Sequence, residues 1–187
     1  MKIAVRNCWK VNRENMSKDR TKKWKVIFFL YILVLIRLII FKYPLHQLME
    51  IARGWEKGVV LEGLSTANFT LGKSIRMYIL YFNRFPFWNG FANLVGNVLV
   101  FIPYGLLLPV SYPVCRKWWR VFYCAIGLVV GIELFQLFSA FGAFDVDDIL
   151  LNVWGAMLGY GVYALCRKIK IRYKAEKYFR KWKKNQK

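Results

Sequence analysis

Residues 133–155 read ELFQLFSAFGAFDVDDILLNVWG. Glu133, Asp145, Asp147 and Asp148 stand here, four of the chain's ten carboxylates, in a stretch with no lysine or arginine, although the net charge is +20. The residues on either side of the acidic turn are apolar over lengths that suit membrane helices. The stretch therefore reads as the end of one membrane span, a short acidic turn and the start of the next. That reading organises the whole chain.

The composition agrees with it. Of 187 residues, 57% are hydrophobic and 18% aromatic, more than a soluble domain of this size can cover. No internal repeat or low-complexity tract is visible. The basic N-terminus lacks a cleavable-signal pattern, so insertion is expected through retained helices. Four spans are predicted, at about 26–43, 91–112, 118–141 and 149–166. The first carries Arg37, which can reach the head groups. The second contains Pro103, Gly105 and Pro109, which are tolerated where neighbours satisfy the freed carbonyls. Within the long 42–90 loop, Ser74–Phe82 is a candidate interfacial or re-entrant element. The expected architecture is all-α: a polytopic membrane protein forming a compact four-transmembrane-helix bundle with a C-terminal basic amphipathic helix. Residues 1–25 form a basic N-terminal segment, 26–166 the membrane domain and 167–187 the tail.

Charge sets the orientation. Nine Lys/Arg precede the first span and eleven follow the fourth. The second-to-third connection holds Arg116, Lys117 and Arg120, and the third-to-fourth connection holds only acids. The positive-inside rule places both termini in the cytoplasm and the acidic turn outside, in a multi-pass cell-membrane protein. Asn93 and Asn97 then lie near the outer end of the second span. Glu133 and Gln136 lie in the outer half of the third, and Asp145, Asp147, Asp148 and Asn152 around the start of the fourth. Three segments deliver polar groups to one depth.

Helical register sharpens this. Asn93, Asn97 and Tyr104 share one stripe, and Glu133 and Gln136 share one face. Asp148, Asn152, Gly155 and Gly159 fall within a stripe about 60° wide. Its glycines, like Gly127 and Gly131 on the third span, have the spacing that lets membrane helices approach closely. One reading is that the amides and glycines only pack the bundle. A carboxylate in a span, however, costs about 2.5–3.5 kcal/mol on insertion scales and usually faces an interior or a water-filled cavity. Glu133, Asp148 and Asn152, assisted by Asn93, Asn97, Gln136, Asp145 and Asp147, are therefore the candidate functional residues.

Two blocks carry a family resemblance. NLVGNVLVFIPYGLLLPV at 93–110 resembles the N-x-x-x-N…F-x-P-[FY]-G signature of the VanZ-like membrane proteins. IELFQLFSAFGAFDVDDILLNVWGAMLGY at 132–160 resembles the same family's E-x-x-Q…D-x-x-D…N-x-x-G block. LIIFKY and FNRFPF resemble its weaker patches, and the likeness extends over about 38–165. Many members have an arginine shortly before the first aspartate, where this chain has Gly142. This counts against an Arg–carboxylate pair there and favours the glycopeptide-resistance branch. The resemblance implies a small polytopic protein that lowers susceptibility to teicoplanin-type glycopeptide antibiotics. A glycopeptide or a lipid-linked cell-wall precursor is the implied partner at the outer site.

Two readings of the site compete. In one it binds without catalysis. In the other the chain is a membrane enzyme acting on a lipid-linked envelope substrate, with Glu133, Asp147 and Asp148 as ligands for a hard cation. No cofactor or resident metal is expected, since neither the cysteines (8, 115, 124 and 166) nor the lone His46 show metal-ligand spacing. TLGKS at 70–74 resembles the end of a phosphate loop, but its required first glycine is Ala67. NFT at 68–70 is a glycosylation triplet of a kind common by chance. The basic tail carries Ile171, Ala175, Tyr178 and Trp182 on one stripe, with Lys and Arg around it. That is a helix for the anionic inner leaflet and not for nucleic acid.

Overall fold

The structure is a computed structural model that describes residues 21–38, 46, 49–50, 53–55, 57–80, 87–139 and 142–185. Helix α1 covers residues 21–38, α2 Lys57–Thr66, α3 Lys73–Leu80 and α4 Phe87–Ser111. A 3-10 turn at Pro113–Arg116 leads to α5, Trp118–Ser139, and a short acidic turn leads to α6, Val146–Lys184. Among the described residues there is no strand, only an isolated bridge between Asn68 and Asp145. The all-α membrane architecture expected from the sequence is what forms. Helices α4, α5 and α6 are long and apolar enough to cross a membrane, over Leu94–Ser111, Trp118–Ser139 and Val146–Lys177. The remaining expected span, about 26–43, is helical in α1 as far as residue 38, and 39–43 lie outside the described residues.

Glycine decides how α4 meets α6. A Cβ on Gly155 would fall 2.1 Å from the Val98 carbonyl oxygen, and one on Gly159 would fall 1.9 Å from that of Ile102. A Cβ on Gly105 would fall 1.7 Å from the Ala156 oxygen. The two backbones touch where side chains would otherwise stand, as small residues allow in membrane helices. The contact positions rise together along both helices, so α4 and α6 run parallel, with α5 returning between them. Gly127 and Gly131 depart from expectation. Among the described residues nothing lies within 4 Å of a Cβ on either. The reason is register: α5 buries Val121, Ala125, Val129, Ile132, Glu133 and Leu137. Two residues on from Ala125 or Val129 is about 200° away, the opposite side of the helix.

Helix α1 closes the core. Leu35 is buried, and Phe28, Tyr31 and Ile32 pack against the cluster around Phe101, Tyr104 and Leu108. Tyr31 donates to the Val100 carbonyl at 2.7 Å, next to the gap that Pro103 makes in the α4 hydrogen-bond ladder. At the far end of α4, Ser111 donates to the Trp24 carbonyl at 2.9 Å. The outer face stays apolar and exposed, with Phe138, Trp154, Leu158 and Leu165 among its residues.

Helix α6 is longer than the expected span. It runs 39 residues without interruption, covering both the expected 149–166 span and the basic helix expected directly after it. The physical reason is in the sequence, since no glycine or proline follows Gly161 to break the ladder. At 1.5 Å per residue the helix is about 58 Å long, roughly twice the hydrocarbon thickness of a bilayer.

Candidate functional site

Glu133 is built into the core side of α5. It sits on the same stripe as Val129 and Leu137 and is 2% exposed. Its Oε2 accepts the Asp145 backbone N–H at 3.0 Å, so the end of α5 holds the turn that begins α6. Glu133 also feels the charges of Asp145 and Asp148.

Asp145 precedes α6 and caps it. Its Oδ1 accepts the Asp147 N–H at 2.8 Å, the bond an N-cap residue makes to the second residue of its helix. The same oxygen accepts from the Asn68 side-chain amide at 2.8 Å, and Oδ2 accepts from the Ser74 hydroxyl.

Asp147 caps a different helix. Gly72, with φ +82°, precedes α3 and has no side chain to cap it. Fully buried Asp147 supplies the missing acceptor from 72 to 75 residues away. Its Oδ1 accepts the Gly72 N–H at 2.6 Å, and its Oδ2 accepts the N–H groups of Ser74 at 2.8 Å and Ile75 at 3.2 Å. A carboxylate is well suited to this place, where the first-turn N–H groups carry partial positive charge. Asn68 completes the attachment: its N–H donates to the Phe144 carbonyl at 2.8 Å, and the Val146 N–H donates to its own carbonyl at 3.0 Å. Residues 68–75 thus form a strap across the acidic turn.

Asn68, Gly72 and Ser74 are site residues that sequence reasoning missed. The TLGKS stretch was a fair clue. Its N–H groups do cradle an anion, and that anion is the protein's own Asp147.

The other candidates lie on the α4 and α6 side. Asn97 donates from its amide to Asp148 Oδ1 at 2.6 Å, as their shared depth and facing stripes anticipate. One turn further along α6, Asn152 is 3% exposed, and its Oδ1 has no hydrogen-bond partner among the described residues. Gln136 is half-buried and crosses the turn against Gly142, where a Cβ would stand 3.1 Å from its amide carbon and nitrogen. Any larger residue at 142 would displace it. Asn93 stands one turn before Asn97 on α4, and its side chain lies outside the described residues.

The eight sequence candidates therefore divide. Asp145 and Asp147 fasten the strap, and Glu133 holds the turn. Asn97, Asp148 and Asn152 line the α4–α6 seam just beyond the glycine contact. Among the described residues no three His, Cys, Asp or Glu are grouped so as to hold a metal ion.

The sequence pattern described as VanZ/LLP1 matches residues 28–167. The chain is 34% identical over 80 residues to Protein VanZ of Enterococcus faecium, across 43% of this chain and 49% of that protein. The matched stretch thus spans about half the length of that relative. No solved structure matches.

Proposed function

The chain belongs to the VanZ/LLP1 family, and we propose that it is a membrane protein that lowers susceptibility to teicoplanin-type glycopeptide antibiotics. The proposed site is the polar seam of Asn97, Asp148 and Asn152, with Glu133 beside it. The observation that carries this reading is Asn152. A buried acceptor left without a donor costs about 1–3 kcal/mol. It stands one turn along α6 from the Asn97–Asp148 pair, in a layer where an apolar side chain would carry no such cost.

We read the site as one that binds. The cation-dependent alternative needs Glu133, Asp147 and Asp148 to converge. Asp147 instead directs both oxygens to backbone N–H groups at the start of α3. An acceptor-rich seam suits a ligand with N–H or O–H donors, such as a glycopeptide or a lipid-linked wall precursor.

We place this end at the outer leaflet, with both termini in the cytoplasm. The support is the position of Arg116, Lys117 and Arg120 between α4 and α5, and of the basic run in the second half of α6. With the native cysteines replaced by alanine, a cysteine at Ala143 should react with an impermeant maleimide in whole cells. One at Lys117 or Asn185 should not. Labelling at 117 from outside would invert the orientation.

Expression in a susceptible Gram-positive host tests the site. Glu133→Gln and Asp148→Asn keep volume and remove charge. Each should return teicoplanin susceptibility to that of cells lacking the gene, with normal protein levels in the membrane. Asn152→Leu separates site from packing. Removing the orphan acceptor should leave the protein equally or more heat-stable in detergent, yet without resistance. Full resistance in all three variants would leave packing as their only role.

A further inference from the structure

A shallow groove lies at the opposite end of the bundle from the polar seam. Its volume is about 280 Å³, and it runs along α6 past Tyr160, Tyr163, Arg167, Lys168, Ile171 and Arg172. These positions recur at three- and four-residue intervals, so they form one face. The Tyr160 hydroxyl donates to the Arg116 carbonyl at 3.0 Å, which ties the groove's upper wall to the turn between α4 and α5. The Tyr160 and Tyr163 rings meet at 5.9 Å between centroids. The described lining includes three cations and no carboxylate.

We propose that this groove binds the phosphate of an anionic phospholipid as a specific site, beyond diffuse attraction to a charged leaflet. Depth is the first argument. Counting from Asp148 at one edge of the membrane, about 20 residues at 1.5 Å each cross a hydrocarbon core of about 30 Å. That count ends at Lys168, in the middle of the groove. The groove therefore opens at the level where lipid phosphates lie. Chemistry is the second argument. Guanidinium groups at 167 and 172 offer paired N–H donors to phosphate oxygens, and Lys168 adds a compact charge. The third argument is the surround. Ile171, 58% exposed, lines the groove together with Ala164 and the two tyrosine rings, an apolar track for an acyl chain that a soluble phosphate would leave unused. The inference does not depend on the antibiotic reading, since it concerns the other end of the molecule.

The test uses the full chain in detergent, titrated with phosphatidylglycerol or phosphatidylcholine, with bound lipid counted by native mass spectrometry. Phosphatidylglycerol should fill a single saturable site and phosphatidylcholine should not. Arg167→Gln with Arg172→Gln should weaken that site roughly 30-fold, from about 1 kcal/mol for each cation. Lys177→Gln with Lys184→Gln removes the same charge further along the same helix, outside the groove lining, and should change the affinity by less than about threefold. Equal losses from the two pairs would overturn the proposal in favour of diffuse charge. So would equal retention of the two lipids. Full displacement by soluble glycerol phosphate would overturn it in favour of a soluble ligand.

Discussion

Gly159→Leu is expected to abolish assembly of the bundle, and Gly155→Leu to do the same. Even alanine places a Cβ 1.9 Å from the Ile102 carbonyl oxygen at position 159. Relief requires the two backbones to part by about 1.5 Å, taking contact near 3.5 Å. Neither partner can yield locally, because the clashing atom is backbone within a helix. Leucine adds three more carbons to a space that has none. The usual cost of overpacking is about 1–3 kcal/mol, and a clash with backbone on this scale belongs at or beyond the top of that range. Parting α4 from α6 also separates Asn97 from Asp148 and unpacks Ala156 from the core, so the loss spreads beyond one contact. The measurement is accumulation in the membrane, followed by heat stability in detergent of whatever accumulates. Gly131→Leu is the control. It faces away from the described core, and should accumulate and melt like the parent. Normal accumulation of both the Gly155 and Gly159 variants would mean that the close approach of α4 and α6 is not needed for assembly.

What the sequence makes legible here is what repeats at helical spacing. The stripe of Asp148, Asn152, Gly155 and Gly159 identifies the α6 face against α4, and Asn97 stands at the same depth on its own stripe, though register alone does not single out Asp148 as its partner. The unbroken α6 is also readable, in the absence of glycine and proline after Gly161. The glycine pair on α5 shows the limit. Gly127 and Gly131 have the same spacing as Gly155 and Gly159, but spacing fixes only that two residues share a face. It does not say which face is buried, and the heavier run of Val121, Ala125, Val129 and Ile132 decides that. The strap was beyond reach for a different reason. Asn68 and Asp145 are 77 residues apart, joined by one side-chain bond and flanked by two backbone bonds linking Asn68 with Phe144 and Val146, with no period to carry a signal. Three aspartates in one turn look alike in sequence. In the structure one caps α6, one caps α3 and one pairs with α4.

That division makes Asp147 the most consequential of the three for stability. Asp147→Ala should release the strap while the spans stay together. The carboxylate is wholly buried and accepts three backbone N–H groups at the start of α3. Hydrogen bonds to a charged group contribute about 1.5–3 kcal/mol, and Gly72 has no side chain to take over the cap. With the acceptor gone, these N–H groups must find water, which they can do only if residues 68–75 lift from the turn. The Asp145 bonds to Asn68 and Ser74 hold the same segment and would have to break with it. The expected loss is about 3 kcal/mol of local stability, enough to open the strap over 100-fold more often. Trypsin reads this directly, since Lys73 and Arg76 lie in the first turn of α3. Protein in detergent should be cut at these residues much faster in Asp147→Ala than in the parent, while cleavage at exposed Arg116 and Lys117, between α4 and α5, keeps the parent rate. Asp147→Asn should fall between the two, because its carbonyl oxygen still accepts while its amide hydrogens oppose the N–H groups of Ser74 and Ile75. Cleavage at the parent rate in Asp147→Ala would mean that the carboxylate does not hold the strap. Asp147 would then return to the list of residues whose purpose is the ligand.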